Sequence, residues 1–216
     1  MAKELHREIF ELQNEVLEMA NLALSMLDDS MKALATQNIE LAENIIEKKY
    51  LIRELDSSIE AKALKLIALY QPMAIDLRRL ATILKIITYL TRIGRYGKDI
   101  ASVVEELSKN HYPAPFVNLQ HMWEHVKTMV EDALKAFEES DIDPLKDFEA
   151  RDNEVDEMRW SIFRECITYM MEDPRIITAC AFFTMIARFL ERTGDNACKI
   201  AEKVHYMVTG EHKEIK

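Results

Sequence analysis

Two segments of the chain pair without a gap at an offset of 103 residues: NIELAENIIEKKYLIRELD at 38–56 and DIDPLKDFEARDNEVDEMR at 141–159. A second pair, Leu90–Ala101 and Leu190–Ala201, matches at an offset of 100, so a small insertion or deletion falls near the turns at Pro72 and Pro174. Self-similarity at so long a period marks a tandem architecture, in which each copy is one structural unit. The fold must therefore be one that half of the chain can adopt, twice over.

Each copy reads as helix. Ile9, Leu12, Val16, Met19, Ala23 and Met26 recur three or four residues apart and form one stripe on a helical surface. Four glycines and five prolines punctuate 216 residues, and no strand-like alternation interrupts the helical spacing. Stop and start signals predict six long helices, near 4–35, 39–70, 73–109, 116–139, 144–171 and 174–209. Asn38 is the expected cap of the second. Asp143-Pro144 and Asp173-Pro174 each place a capping carboxylate before a proline suited to a first helical turn. Long amphipathic helices on short loops pack antiparallel. The expected fold is all-α: two tandem antiparallel three-helix bundles, one in residues 1–110 and one in 111–216.

Bulk properties narrow the function classes. A formal net charge of −10 argues against nucleic acid, which needs a positive field. The longest charge-free runs, Asn110–Trp123 and Ile176–Ala187, are too short to span a bilayer, and the charged start MAKELHREIF has no apolar signal core. Cys166, Cys180 and Cys198 show no CxxC spacing and are expected as buried, reduced thiols of a cytoplasmic protein. The twelve methionines are expected mainly in the core.

The copies differ in one chemical respect. Glu191 and Asp195 lie four apart, on one helical face, and Glu202 returns to nearly that face eleven residues on. Asp152 and Asp156 repeat the spacing on the preceding helix. Antiparallel packing of the two helices would set carboxylate pairs face to face, where mutual repulsion calls for a cation or for solvent. Magnesium, manganese, iron and zinc all suit carboxylate oxygens. Two readings stand: a metal site, or a solvated acidic face beside a glycine, Gly194, that lets a neighbouring helix approach. Enzyme signatures are sparse. One Glu-x-x-His, Glu202 to His205, falls short of the two that a di-iron bundle uses. His121 and His125 lack the HExxH context, and neither a phosphate-binding glycine loop nor a nucleophile motif occurs.

ALYQPMAIDLRRLATILKIITYLTRIG in one half and TYMMEDPRIITACAFFTMIARFLERTGDNACKIAE in the other resemble the two repeats of the PhoU family of phosphate-signalling proteins, over roughly residues 10–209. The resemblance implies a cytoplasmic, often dimeric adaptor without enzymatic activity. Such a protein restrains high-affinity phosphate uptake and the phosphate-starvation response by linking the ATPase of a phosphate ABC transporter to a sensor histidine kinase. It also implies metal binding through E(D)xxxD motifs on two helices of each repeat. In the second repeat those motifs fall on Asp152 and Asp156, then Glu191 and Asp195, with Glu202 at a further acidic position. In the first repeat the same places hold Lys49, Arg53, Thr91 and Arg95, so the implied metal (Fe, Zn, Mn or Mg) belongs to the second repeat only. Three fixed cations repel a divalent ion. The first-repeat cations would then replace the metal's charge, pair with nearby acids, or hold an anion. A metal-dependent hydrolase, or a metal-binding sensor, using the second-repeat carboxylates is the alternative reading.

Overall fold

The computed structural model describes residues 2–109 and 117–215, with the side chains of Ala2 and Lys109 left aside. Among these residues there are seven α-helices and no strand: α1 (Ala2–Thr36), α2 (Ile39–Glu47), α3 (Lys49–Tyr70), α4 (Ala74–Lys109), α5 (Leu119–Glu139), α6 (Phe148–Glu172) and α7 (Ile177–Thr209). The six expected helices are present, the second of them divided at Lys48 into α2 and α3. That division is slight. Lys48 keeps right-handed helical backbone angles, and its N–H is shared between the carbonyls of Asn44 at 3.4 Å and Ile45 at 3.2 Å, a locally tightened turn.

Punctuation follows the sequence with one exception. Asn38 Oδ1 accepts from the Leu41 N–H at 3.0 Å, and α3 stops at Gln71, whose left-handed backbone (φ 48°) precedes Pro72. Asp173 accepts from the Arg175 N–H at 3.0 Å, and Pro174 opens a 3₁₀ turn that leads into α7. Asp143 does not cap a helix beginning at Pro144. It starts a 3₁₀ turn, Asp143–Leu145, its own N–H held by Asp141 at 3.0 Å, and α6 begins only at Phe148. The tighter turn lets Leu145 and Phe148 both enter the core before the helix sets its direction. The expected boundary between the repeats at 110–111 and the NHYPAPF loop lie outside the described residues.

In the first half α1, α2 and α3 pack on α4; in the second α5 and α6 pack on α7. The halves join chiefly along α4 and α7, the last helix of each, with a smaller contact between α1 and α5. One continuous apolar core runs through both halves, from Leu5 to Ile215. Met19, Met26, Met122 and Met129 fill it, as expected, while Met73 and Met171 lie on the surface. All three cysteines are buried and reduced.

Close helix contact is made by a different glycine from the one the sequence singled out. A methyl at Gly97 would meet the Met26 carbonyl carbon at 2.9 Å and its oxygen at 3.0 Å, so α1 and α4 touch backbone to backbone there. At Gly194 the nearest atom would be a Val155 methyl at 3.6 Å, ordinary van der Waals distance. The packing explanation proposed for Gly194 is thus weak, and Gly97 carries that role.

Candidate metal centre

Within each repeat, matching positions meet each other across the seam. Gly94 faces Ile52 in the first half as Gly194 faces Val155 in the second. Thr91 Oγ1 donates to Asp56 Oδ1 at 3.1 Å, and at the matching places Arg159 Nε stands 3.9 Å from Glu191 Oε1. The α3–α4 and α6–α7 seams are therefore equivalent surfaces, and their side chains can be compared position by position.

On the α6–α7 seam the acids divide. Asp152 is buried on α6 and accepts from Cys198 Sγ of α7 at 3.6 Å. Glu202 is buried one end along, where its Oε1 accepts from Lys199 Nζ at 2.8 Å and from the Ile215 N–H at 3.2 Å, pinning the C-terminal tail. Asp156, Glu191 and Asp195 remain grouped. Glu191 is only 6% exposed, and burial pushes its carboxyl upward, helped by Asp195 and, more weakly, Asp156, against the opposing pull of Arg188 and Arg159. Its Oε1 accepts from Arg188 Nη1 at 2.7 Å. Its Oε2 is buried with no hydrogen-bond partner, although Arg192 Nε lies 3.9 Å away. Arg159 Nε, 3.9 Å from Oε1, is likewise buried without a hydrogen-bond partner. Asp195 also lines a cavity of about 320 Å³ between α4 and α7, with Arg92, Tyr96, Arg192, Asn196 and Lys199.

Among the described residues no three His, Cys, Asp or Glu side chains stand close enough as they are to hold an ion. One buried Glu191 oxygen lacks a donor and two further acids raise the carboxyl's proton affinity, while Arg159, Arg188 and Arg192 all approach the same carboxylate. To ligate an ion Glu191 would have to give up Arg188, which is 45% exposed, beside the more buried Arg159, 20% exposed and 3.9 Å from the same oxygen. Arg188 and Arg159 are the residues that sequence spacing overlooked. A signal existed, since each lies three residues from an acid of the set, on the same helical face. The histidines considered earlier stand apart. His205 Nδ1 lies 3.1 Å from the Glu211 carbonyl, and His125 Nε2 lies 3.4 Å from Glu154.

The α3–α4 seam carries the opposite charge at nearly every matching place. Lys49, Arg53 and Arg95 occupy the positions of Asp152, Asp156 and Asp195; Asp56 and Asp99 occupy those of Arg159 and Lys199. Together with Ile52, Thr91, Gly94 and Lys98, the three cations and Asp99 line a groove of about 300 Å³.

Comparison with known proteins agrees with this duplicated architecture. The family model described as "PhoU domain" matches residues 16–104 and again 119–204. A phosphate-specific transport system accessory protein PhoU homolog of Caulobacter vibrioides is 40% identical over 184 residues, 85% of this chain and 80% of that protein. The homolog of Aquifex aeolicus is 37% identical over 216 residues, 99% of this chain and 98% of that one. The crystal structure of PhoU from Pseudomonas aeruginosa aligns with a TM-score of 0.90 at 32% identity, covering 95% of this chain and 99% of that one. The phosphate transport system regulatory protein PhoU from Streptococcus pneumoniae aligns at 0.88 and 29% identity. With both halves matched by the family model, and relatives of like length and fold at these identities, the chain belongs to the PhoU family.

Proposed function

We propose that this protein is a cytoplasmic accessory regulator of phosphate uptake that works by docking, without turnover of a substrate. The observation that carries the reading is the whole-length match to relatives named as phosphate-specific transport system accessory proteins. Its finer content follows the family: restraint of high-affinity uptake and of the starvation response, with a transporter ATPase and a sensor histidine kinase as partners, and self-association into a homodimer. Exposed apolar side chains supply contact surface of the required kind. Trp160, Phe163, Ile167 and Met171 are spaced three, four and four residues apart on α6 and all reach solvent. No described helix is long and apolar enough to cross a membrane, so contact with a transporter would be made at its water-facing parts.

Deleting the gene and measuring phosphate accumulation tests this reading. Loss of restraint, with uptake persisting in phosphate-rich medium and reversed by the wild-type gene, is the expected result. Uptake identical to that of the parent strain would remove the assignment.

A metal-binding role for the second repeat is supported separately by the unpartnered Glu191 Oε2 beside Asp156 and Asp195. These three residues would hold an ion of the Mg, Mn, Fe or Zn class, with Asp152 and Glu202 behind them. Bound there, the ion would supply charge neutralisation between α6 and α7. Elemental analysis of purified protein should find metal that is lost in Asp156→Ala combined with Asp195→Ala; metal retained in that variant would refute the site. The hydrolase alternative would require metal-dependent release of phosphate from a model ester, abolished in the same variant.

A further inference from the structure

The groove between α3 and α4 gathers positive charge without compensating it. Lys49, Arg53 and Arg95 line it together, and among the described residues none of the three makes an ion pair. The matching seam of the second half behaves differently: there Arg159 and Arg188 approach Glu191, and Lys199 holds Glu202. A chain with a formal net charge of −10 has acids to spare, yet Asp99, which lines this groove, and Asp56, bonded to its Thr91, are otherwise engaged. Asp56 accepts from Thr91 at 3.1 Å, and Asp99 holds Lys98 at 3.1 Å. Lys49 and Arg95 rest against the rings of Tyr50 and Tyr96, at 4.8 and 5.7 Å, contacts that orient a cation and leave its charge in place.

We propose that this groove binds a multiply charged phosphoryl oxyanion between Lys49 and Arg53 on α3 and Arg95 on α4. Cations brought together from two helices repel one another, and an anion placed between them reverses the sign of that interaction. Charge count and shape select the ligand class. A carboxylate offers one charge and two oxygens in a plane, whereas a phosphoryl group directs its oxygens toward both walls and accepts from forked guanidinium donors. Ile52 and Gly94 give the groove an apolar portion, and its one lining acid, Asp99, is already paired with Lys98. A space of about 300 Å³ accommodates orthophosphate with its water or a short condensed phosphate. The inference rests on charge and geometry in the first repeat and stands apart from the transport reading.

Calorimetric titration of the full chain at fixed ionic strength, with orthophosphate and tripolyphosphate as separate probes, tests it. Saturable one-site binding of at least one probe is expected, and the tighter of the two identifies the source. Arg53→Gln combined with Arg95→Gln should weaken that binding by at least about tenfold. A control losing equal charge elsewhere, Lys32→Gln combined with Lys135→Gln, should bind as wild type does. All four side chains are exposed, so the folds should persist. In phosphate-free buffer the thermal midpoint of the groove variant should not fall, because repulsion has been removed. No saturable heat from either probe overturns the proposal, as does binding undiminished in the groove variant or displacement by acetate at equal ionic strength. Binding of a Glu-rich peptide with neither phosphate bound would also overturn it, and would make the groove a protein-docking face.

Discussion

At the scale of the residue, Glu191 holds the least settled charge among the candidate ligands. One of its oxygens is bonded to Arg188, the other is buried without a donor, and Asp195 and Asp156 stand close by. Its folded-state pKa lies above its unfolded value, so its contribution favours folding at low pH and is lost as pH rises through the folded value. At neutral pH in metal-free protein, Glu191→Gln is therefore expected to raise stability. The gain should shrink as pH falls to about 4, where the wild-type carboxyl is protonated too. Thermal melts of both proteins across pH measure this; an equal or larger gain in acid would contradict the assigned cause. A burial effect of the same kind pushes the Cys166 thiol up to about 12, with Cys180 beside it. Thiols so placed carry little thiolate, which explains how reduced cysteines persist here without special protection.

Among the elements, α4 and α7 set the spacing of everything else, and their glycines do unlike work. Gly97 lets α4 lie against the α1 backbone at Met26 and Leu27, so Gly97→Ala must force two helices apart and is expected to cost about 1–3 kcal/mol. Gly194→Ala fills ordinary space beside Val155 and Val126 and removes a poor helix former, so a gain of up to about 1 kcal/mol is expected. Denaturant midpoints of the two variants, shifted in opposite directions, would establish the difference. A loss at Gly194 comparable to that at Gly97 would mean that α7 also depends on close approach. The repeat by itself treats Gly94 and Gly194 as equals and says nothing of Gly97, because tightness depends on which helix lies opposite.

For the whole molecule, the duplicated sequence does not yield two independent bodies. A single apolar core crosses from α4 to α7, and Asp28 of α1 accepts from Trp123 Nε1 of α5 at 2.8 Å while also holding Lys127 at 2.7 Å. Unfolding is accordingly expected as one cooperative transition. Both tryptophans, Trp123 and Trp160, lie in the second half, whereas helical circular dichroism reports on both halves. Coincident denaturation curves from fluorescence and dichroism are expected, and a separate earlier step in dichroism would show the first half melting alone. The same union leaves the two seams unlike in charge: among the described residues, unpaired cations line a groove on one, and acids are faced by arginines on its twin.

Periodicity, punctuation and the internal repeat are properties of local sequence. They sufficed to determine an all-helical chain built twice, the capping by Asn38 and Asp173, and the helical faces bearing Asp156, Glu191, Asp195 and their basic counterparts. The partners of those side chains across the seams were a different matter. That Arg188 and Arg159 contend for Glu191, that Asp152 turns to Cys198 and Glu202 to the tail, and that Lys49, Arg53 and Arg95 share a groove were decided by packing. Helical spacing fixes the angle at which a side chain leaves its own axis, whereas the neighbour it meets depends on the rotation and separation of a second axis far along the chain.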